Sequence, residues 1–398
     1  MSTQAGADIL FRDVRLFDGE RVSARSSVLV RNGYVRAVGA DLSGEPDARV
    51  VDGAGLTLLP GLIDAHVHAF ERSLAQALRF GVTTELDMFA DPAKMRVLRQ
   101  QAAERSDVAD IRSAGTGATA PGGHPCQMVG ALFAEFPTVA SPQQAESFVV
   151  DRIAEGSDYL KVFSSSLPGE PDLPQLGADT IRALVRQARS CGLLTVAHAT
   201  DQQAALMSVR AGVDGLGHLP IDGPLDVGLL ETLMRTGAFV IPTLGLLESL
   251  CQIRTGIPLL ADSRVSALLD VEQTEGLAGM MGPAPAPSYR VQYAKAMVMP
   301  MRRAGIPILA GTDSPAPGLA HGASLHRELE LLVEAGLSPA DALASATSVP
   351  ADCFGLTDRG RIRPGLRADL LLVAGDPLRE ITDTRNIVEV YRGAVPLH

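Results

Sequence analysis

The sequence predicts an α/β protein, a (β/α)8 TIM barrel with a small β-sandwich domain assembled from both chain ends. Three observations predict it. Short alternating strands with Asp-Gly and Asn-Gly turns fill the first sixty residues, and the same texture returns after residue 358. Between these ends, eight apolar strand-like runs alternate with helical patterns. Strands and helices in strict alternation argue for a parallel sheet, and eight such units for a closed barrel.

At the N-terminal end, DILFRDVRLFDGE, SSVLVRNGYVRAVG and ARVVDGAGLTLLP alternate apolar and polar residues around turn dipeptides, the pattern of antiparallel β structure. Pro60-Gly61 then punctuates the chain. After the turn-rich DRGRIRPGLR, the runs RADLLLVAGD and IVEVYRGAVPL are again strand-like. The expected organisation is a β-sandwich half over 1–60, a barrel over 61–357 and the second β half over 358–398.

The barrel strands are expected at GLIDAHVH (61–68), GVTTELDMF (81–89), DIRSAGTG (110–117), YLKVF (159–163), LLTVAHA (193–199), GLGHLP (215–220), AFVIPT (238–243) and PILAGTD (307–313). Stretches such as GADTIRALVRQARSCG and DQQAALMSVRAGVD repeat apolar residues at helical spacing and end in Gly, a helix-stop signal. The segment 244–306 is too long for one crossover and is expected to hold extra helices, with MGPAPAPS as an extended loop.

Composition bounds the function. With 46% hydrophobic and 20% charged residues, the 398-residue chain has the means to build a large core. A net charge of −11 without a dense Lys/Arg block does not suit a nucleic-acid binder. MSTQAGADILFRDVRLFDGE lacks the apolar segment of a signal peptide, and no apolar run reaches membrane-spanning length. The four cysteines are scattered without a CxxC pair, as expected of reduced thiols in a cytoplasmic enzyme. The expected partner is a small-molecule substrate, not nucleic acid or membrane, and the chain is expected to form a homo-oligomer.

Active sites of such barrels lie at the C-terminal strand ends. His66 and His68 close the first strand, and the two-residue period of a strand points both to one face. Lys161 sits within the fourth strand, His198 near the end of the fifth, His218 near the end of the sixth, and Asp313 at the end of the eighth. Alone, each has an ordinary reading: a hydrogen-bonded strand-end His, a snorkelling Lys, an Asp that caps a turn. Together they bring imidazoles and a carboxylate to one rim, a donor set suited to zinc and similar metals.

These residues lie in stretches that carry a resemblance. LPGLIDAHVH, GVTT, YLKVF, TVAHAT, GVDGLGHLP, ILAGTDSP, HGASLHRELELLVEAGLSPADALASATSVPA and GRIRPGLRADLLLVAGDPL occur in order from residue 59 to 378. The chain thereby resembles the amidohydrolase superfamily, near its imidazolonepropionase-like and prolidase-like branch. The resemblance implies two divalent metal ions, zinc by default, with His66, His68 and Asp313 at the more buried one and His198 and His218 at the more exposed one. It also implies a carbamylated Lys161 as the bridging ligand. Mononuclear deaminases similar to this family carry a Glu three residues after the fifth-strand His. Here His198-Ala199-Thr200-Asp201 lacks it.

The expected reaction is hydrolysis of a C–N bond in an amide, cyclic amide, carbamate or dipeptide, by a hydroxide bridging the metals with Asp313 as proton shuttle. The alternatives are a binuclear lactonase or phosphotriesterase, a mononuclear deaminase and a non-catalytic scaffold. Substrate contacts are expected in the loops: His124 in TAPGGHPCQMVG, His321 before the helix that follows the eighth strand, and Tyr289 with Arg290, which could hold a substrate carboxylate.

Overall fold

The computed structural model describes residues 8–40, 42, 48–131, 134–169 and 173–397. The N-terminal strands are β1 (Ile9–Phe17), β2 (Val22–Arg31), β3 (Tyr34–Gly39), β4 (Arg49–Asp52) and β5 (Leu56–Pro60). The middle of the chain adds β6 (Leu62–Val67), β7 (Val82–Asp87), β8 (Asp110–Ser113), β9 (Leu160–Phe163), β10 (Thr195–His198), β11 (Gly215–Gly217) and β12 (Phe239–Ile241). The C-terminal end supplies β13 (Leu370–Ala374), β14 (Ile387–Arg392) and β15 (Val395–Pro396).

Both chain ends enter one hydrogen-bonded sheet of eight strands, in the order β15-β14-β13-β5-β1-β2-β3 with β4 beside β1. β13 pairs antiparallel with β5 from Leu370↔Pro60 to Ala374↔Leu56. The alternation read in the sequence has its cause here: Phe11, Val14, Leu58, Leu370, Leu372 and Tyr391 are buried in one cluster. The ring of Phe11 meets Tyr391 edge-on, with centroids 5.1 Å apart, so residues far apart in sequence share a core.

The middle strands are all parallel. β6, β7 and β8 form a three-stranded sheet, and β9, β10, β11 and β12 a four-stranded one. Every residue of β6, β7, β9, β10, β11 and β12 is buried, the mark of parallel strands covered on both faces. Seven of the eight expected barrel strands are present. The expected eighth, 307–313, is not a strand. Its backbone groups are divided among different partners: Leu309 N–H donates to Val240 O, Ala65 N–H donates to Ala310 O, and Thr312 N–H goes to the Asp64 carboxylate. Beside Val240 the two bonds, Val240 N–H to Pro307 O and Leu309 N–H to Val240 O, make one isolated bridge and no ladder. The third strand is also shorter than expected, because Gly115 at φ +61° turns the chain. Isolated parallel bridges join Ala118 to Val162, Val240 to Ile308 and Val67 to Ser314.

The expected helices appear at Ala178–Ser190 and Gln202–Ala211; the second is capped by Asp201 and stopped at Gly212 with φ +97°. Segment 244–306 does hold extra helices, among them Leu244–Leu250, Val271–Ala278 and Val291–Arg303. Among the described residues no helix is long and apolar enough to cross a membrane.

Candidate metal centre

The strand-end residues converge. His66 Nε2 and His68 Nε2 lie 3.0 and 3.1 Å from the same Asp313 oxygen, Oδ1. The strand period explains the pair, since positions 66 and 68 lean to one side of β6. Lys161 Nζ is 3.4 Å from His66 Nε2. The His218 ring sits 4.8 Å from that of His66 and 4.6 Å from that of His198, centroid to centroid. One ligand atom each from His66, His218 and Asp313 fall within 4.8 Å of one another. This tight group cuts across the split expected from the resemblance, in which His66 and Asp313 held one ion and His218 the other.

Backbone geometry is spent on this convergence. His218 and Asp313 adopt φ of +77° and +63°, a left-handed region that non-glycine residues enter at a cost and chiefly where function demands it. Next to His218, Gly217 leaves the space the other side chains need. A Cβ there would stand 2.9 Å from His66 Cε1 and 3.0 Å from Lys161 Nζ.

Burial sets the protonation. It pushes His66 down to about 3, and His198 and His218 well below the usual imidazole range, so these rings are neutral. At His68 burial also works downward, but the Asp313 carboxylate outweighs it and the net shift is upward. Burial lowers Lys161 to about 7, which leaves a large share as free amine near neutral pH. At Asp313 burial works upward, and the adjacent His66 and His68 hold it well below the carboxylate range.

The hydrogen bonds assign tautomers. The Thr243 hydroxyl donates to Pro242 O at 2.8 Å, so its oxygen accepts from His218 Nδ1–H at 2.8 Å. His68 Nδ1 faces the Phe89 carbonyl at 3.3 Å and must be the donor there. His218, neutral by burial, therefore keeps its Nε2 lone pair. His68 Nε2 is aimed at Asp313 Oδ1, 3.1 Å away. His66 Nδ1 and His198 Nε2 are buried without a hydrogen-bond partner. Neutral imidazoles, a carboxylate and orphaned buried acceptors fit divalent metal ions.

A supporting layer went unread in the sequence. Asp64 is buried two residues before His66, takes Thr312 Oγ1 at 2.8 Å and Thr312 N at 3.0 Å, and so anchors the backbone before Asp313. Burial, with Glu85 nearby, pushes Asp64 up to about 7. Asp87 ends β7, accepts from Ser113 Oγ at 2.6 Å and Ala69 N at 2.8 Å, and lies near His68. Glu328 accepts from the backbone N–H groups of Leu244 and Gly245 at 2.9 Å each, just beyond Thr243. The only signal for Asp64 and Asp87 is a carboxylate inside an apolar strand.

All six converging residues line one cavity of about 510 Å3, and His124 lines it too, its ring stacked 5.0 Å from His198. Three expected substrate contacts do not reach it. His321 is buried in the core, its Nδ1 2.6 Å from Glu85 Oε1. Arg290 is exposed and turns its Nε to Pro287 O at 3.4 Å, while Tyr289 packs against the hydrophobic core. Neither lines the cavity. The loop that carries them folds back on itself, which spacing alone does not reveal.

Residues 57–395 match the model of the amidohydrolase family. The chain is 26% identical to a 5-methylthioadenosine/S-adenosylhomocysteine deaminase of Halobacterium salinarum, over 94% of this chain and 84% of that one. It is 24% identical to an imidazolonepropionase of Deinococcus radiodurans, over 94% and 92%. Among solved structures, it superposes on a Xaa-Pro dipeptidase with bound methionine with a TM-score of 0.79 at 21% identity, covering 98% of this chain and 99% of that one.

Proposed function

The chain belongs to the amidohydrolase family, and from that premise we propose that it hydrolyses a C–N bond of a small molecule at a centre of two divalent cations, zinc by default. The observation that carries this reading is the convergence of His66, His68, Lys161, His198, His218 and Asp313 on one cavity floor, with buried acceptors left unpaired.

Those six residues would hold the ions, with Lys161 carbamylated as the bridge. Bound ions would supply Lewis-acid polarisation of the scissile carbonyl and acidification of a water molecule. The rest is the work of the chain. Asp313, held ionised by its histidine neighbours, takes the proton of the attacking water and returns it to the leaving nitrogen. Water adds oxygen at the carbonyl carbon, the C–N bond breaks, and an acid and an amine leave. The Lys161 amine, kept partly neutral by burial, can attack carbon dioxide to form the carbamate. Thr243 holds His218, and Asp64 the backbone before Asp313.

The same reading includes the architecture. The two parallel sheets and the bridges at Ala118–Val162, Val240–Ile308 and Val67–Ser314 support a closed barrel over 61–357. The shared sheet supports one β domain built from 1–60 and 358–398, whose sandwich form belongs to this proposal.

The deaminase reading draws on the Halobacterium relative. Asp201 occupies the position where such enzymes place their Glu, but here its carboxylate caps a helix, accepting from Ala204 N at 2.8 Å, and does not line the cavity. Metal analysis after loading with zinc and bicarbonate is expected to find about two equivalents per chain. In a panel of amides, cyclic amides, carbamates, lactones and phosphotriesters, the first three classes are expected to be hydrolysed at their C–N bond with release of an amino group. Turnover confined to the esters would sink the C–N reading, and ammonia release with one equivalent of metal would favour the deaminase.

A further inference from the structure

Taking hydrolysis at this centre as its basis, we infer that the substrate is a neutral molecule with apolar groups on both sides of the scissile C–N bond and no carboxylate near it. N-aryl and N-alkyl amides, carbamates and ureas belong to that class; dipeptides do not.

The wall above the metal residues is the reason. Phe89, Met128, Phe163, Leu167, Leu246 and Met281 form it, and outside the floor cluster His124 is its one polar side chain among the described residues. The chain has 35 Lys and Arg residues, and all lie within the described stretches, because residues 1–7, 41, 43–47, 132–133, 170–172 and 398 include neither type. Of those cations only Lys161 touches the cavity, and it belongs to the floor.

The cations of the surrounding elements are committed elsewhere. Lys295 is held by Glu248 at 2.8 Å and Glu334 at 3.2 Å. Arg327 is held by Glu330 at 2.7 Å and Glu334 at 2.9 Å. Arg290 stays outside. A substrate carboxylate or ammonium pressed against this wall would lose its hydration and find no counter-charge there and no polar side chain other than His124, which is costly. The only charge open to a carboxylate is the metal centre, and an anion bound there takes the place the carbonyl needs. The net charge of −11 works the same way, since it slows the approach of anions. Apolar substituents, by contrast, gain from burial against the aromatic and thioether wall.

Matched pairs test this on the full-length, zinc-loaded protein: an acyl anilide against its 4-carboxy derivative, a phenylurea against its 4-carboxy derivative, and alanyl-pyrrolidide against alanyl-proline. Both kcat/KM and calorimetric affinity are read for each compound. The uncharged members of the first two pairs are expected to lead their carboxylated partners at least tenfold, and alanyl-proline to rank last of all. Met128→Arg, which places a cation in the wall, is expected to shift each ratio at least tenfold toward the carboxylate. Arg290→Ala is expected to shift none. Equal or better use of the carboxylated partners by the unmodified protein overturns the inference, as does a wall that binds none of the compounds. Preferential binding of the neutral members without any turnover keeps the inference and counts against C–N hydrolysis.

Discussion

Lys161 Nζ lies 3.4 Å from His66 Nε2, in a buried setting that it shares with the Asp313 and Asp87 carboxylates. A lysine in that position is either a costly buried cation or a site of modification. Burial lowers it to about 7, and the acceptors around it call for positive charge that metals supply better than an ammonium.

Replacing Lys161 with Ala is therefore expected to reduce metal content from about two equivalents to one or fewer, and to lower kcat/KM by at least ~100-fold. Acetate or propionate, entering the vacated space as a substitute carboxylate, should restore part of both. Metal analysis and rescue kinetics check this together. Full activity in the variant would remove the bridge from the mechanism.

Glu328 acts on the centre through backbone. Its two carboxylate oxygens hold the first amides of helix Leu244–Leu250, and the preceding Thr243, at φ +49°, holds His218. Glu328→Ala leaves two buried N–H groups unpaired, a loss on the order of 2–3 kcal/mol, and lets Thr243 move. Metal affinity is expected to fall by roughly 10–100-fold, as for other losses behind a ligand. Thr243→Ala should show the same fall in affinity with a smaller loss of stability, and Thr243→Ser should show neither. Chelator competition and denaturant midpoints separate the two effects.

His326 predicts a pH effect away from the centre. Its Nε2 meets Phe80 O and its Nδ1 meets Thr384 Oγ1, each at 2.9 Å, and burial pushes it down to about 4. The unfolded chain would protonate it near the ordinary value of ~6.5. Because the folded value is the lower one, its contribution is whole above 6.5 and is lost as pH falls toward 4. His326→Gln cannot titrate. It is expected to be less stable than the parent at pH 7, with the gap narrowing by ~2 kcal/mol at pH 4.5. Denaturant unfolding of the metal-free proteins at both pH values measures it; an unchanged gap would rule the residue out.

What could be read beforehand follows from where periodicity exists. His66, His68, His198 and His218 sit on or beside strands whose two-residue period fixes a face, so their convergence was legible without coordinates. Lys161 was legible for the same reason. The partner of His321 was not, because Glu85 lies 236 residues away on another strand. Met128, Leu246 and Met281 come from a single 3-10 turn, a short helix and a loop, where no period links one residue to the next. The expected eighth strand failed because its apolar run divides its hydrogen bonds between neighbours and the Asp64 carboxylate, a tertiary choice that the run itself does not encode.

Gly217 offers the sharpest test of the packing around the floor. It closes β11, and its φ carries no left-handed strain, so any effect of a side chain there is steric. An added Cβ would stand 2.9 Å from His66 Cε1, 3.1 Å from His66 Nδ1 and 3.0 Å from Lys161 Nζ. The lysine end has room to retreat along its own torsions. The His66 ring, held between Asp313 and His218, must tilt. Overpacking of this kind costs about 1–3 kcal/mol, which a protein of this size absorbs with only a few degrees lost in Tm. Gly217→Ala is thus expected to keep its far-ultraviolet circular dichroism, to lose at least half of its bound metal, and to fall more than ~10-fold in kcat/KM, since small displacements of ligands and reacting groups are heavily penalised. A variant with full metal and full activity would mean that His66 and Lys161 do not need the placement described here.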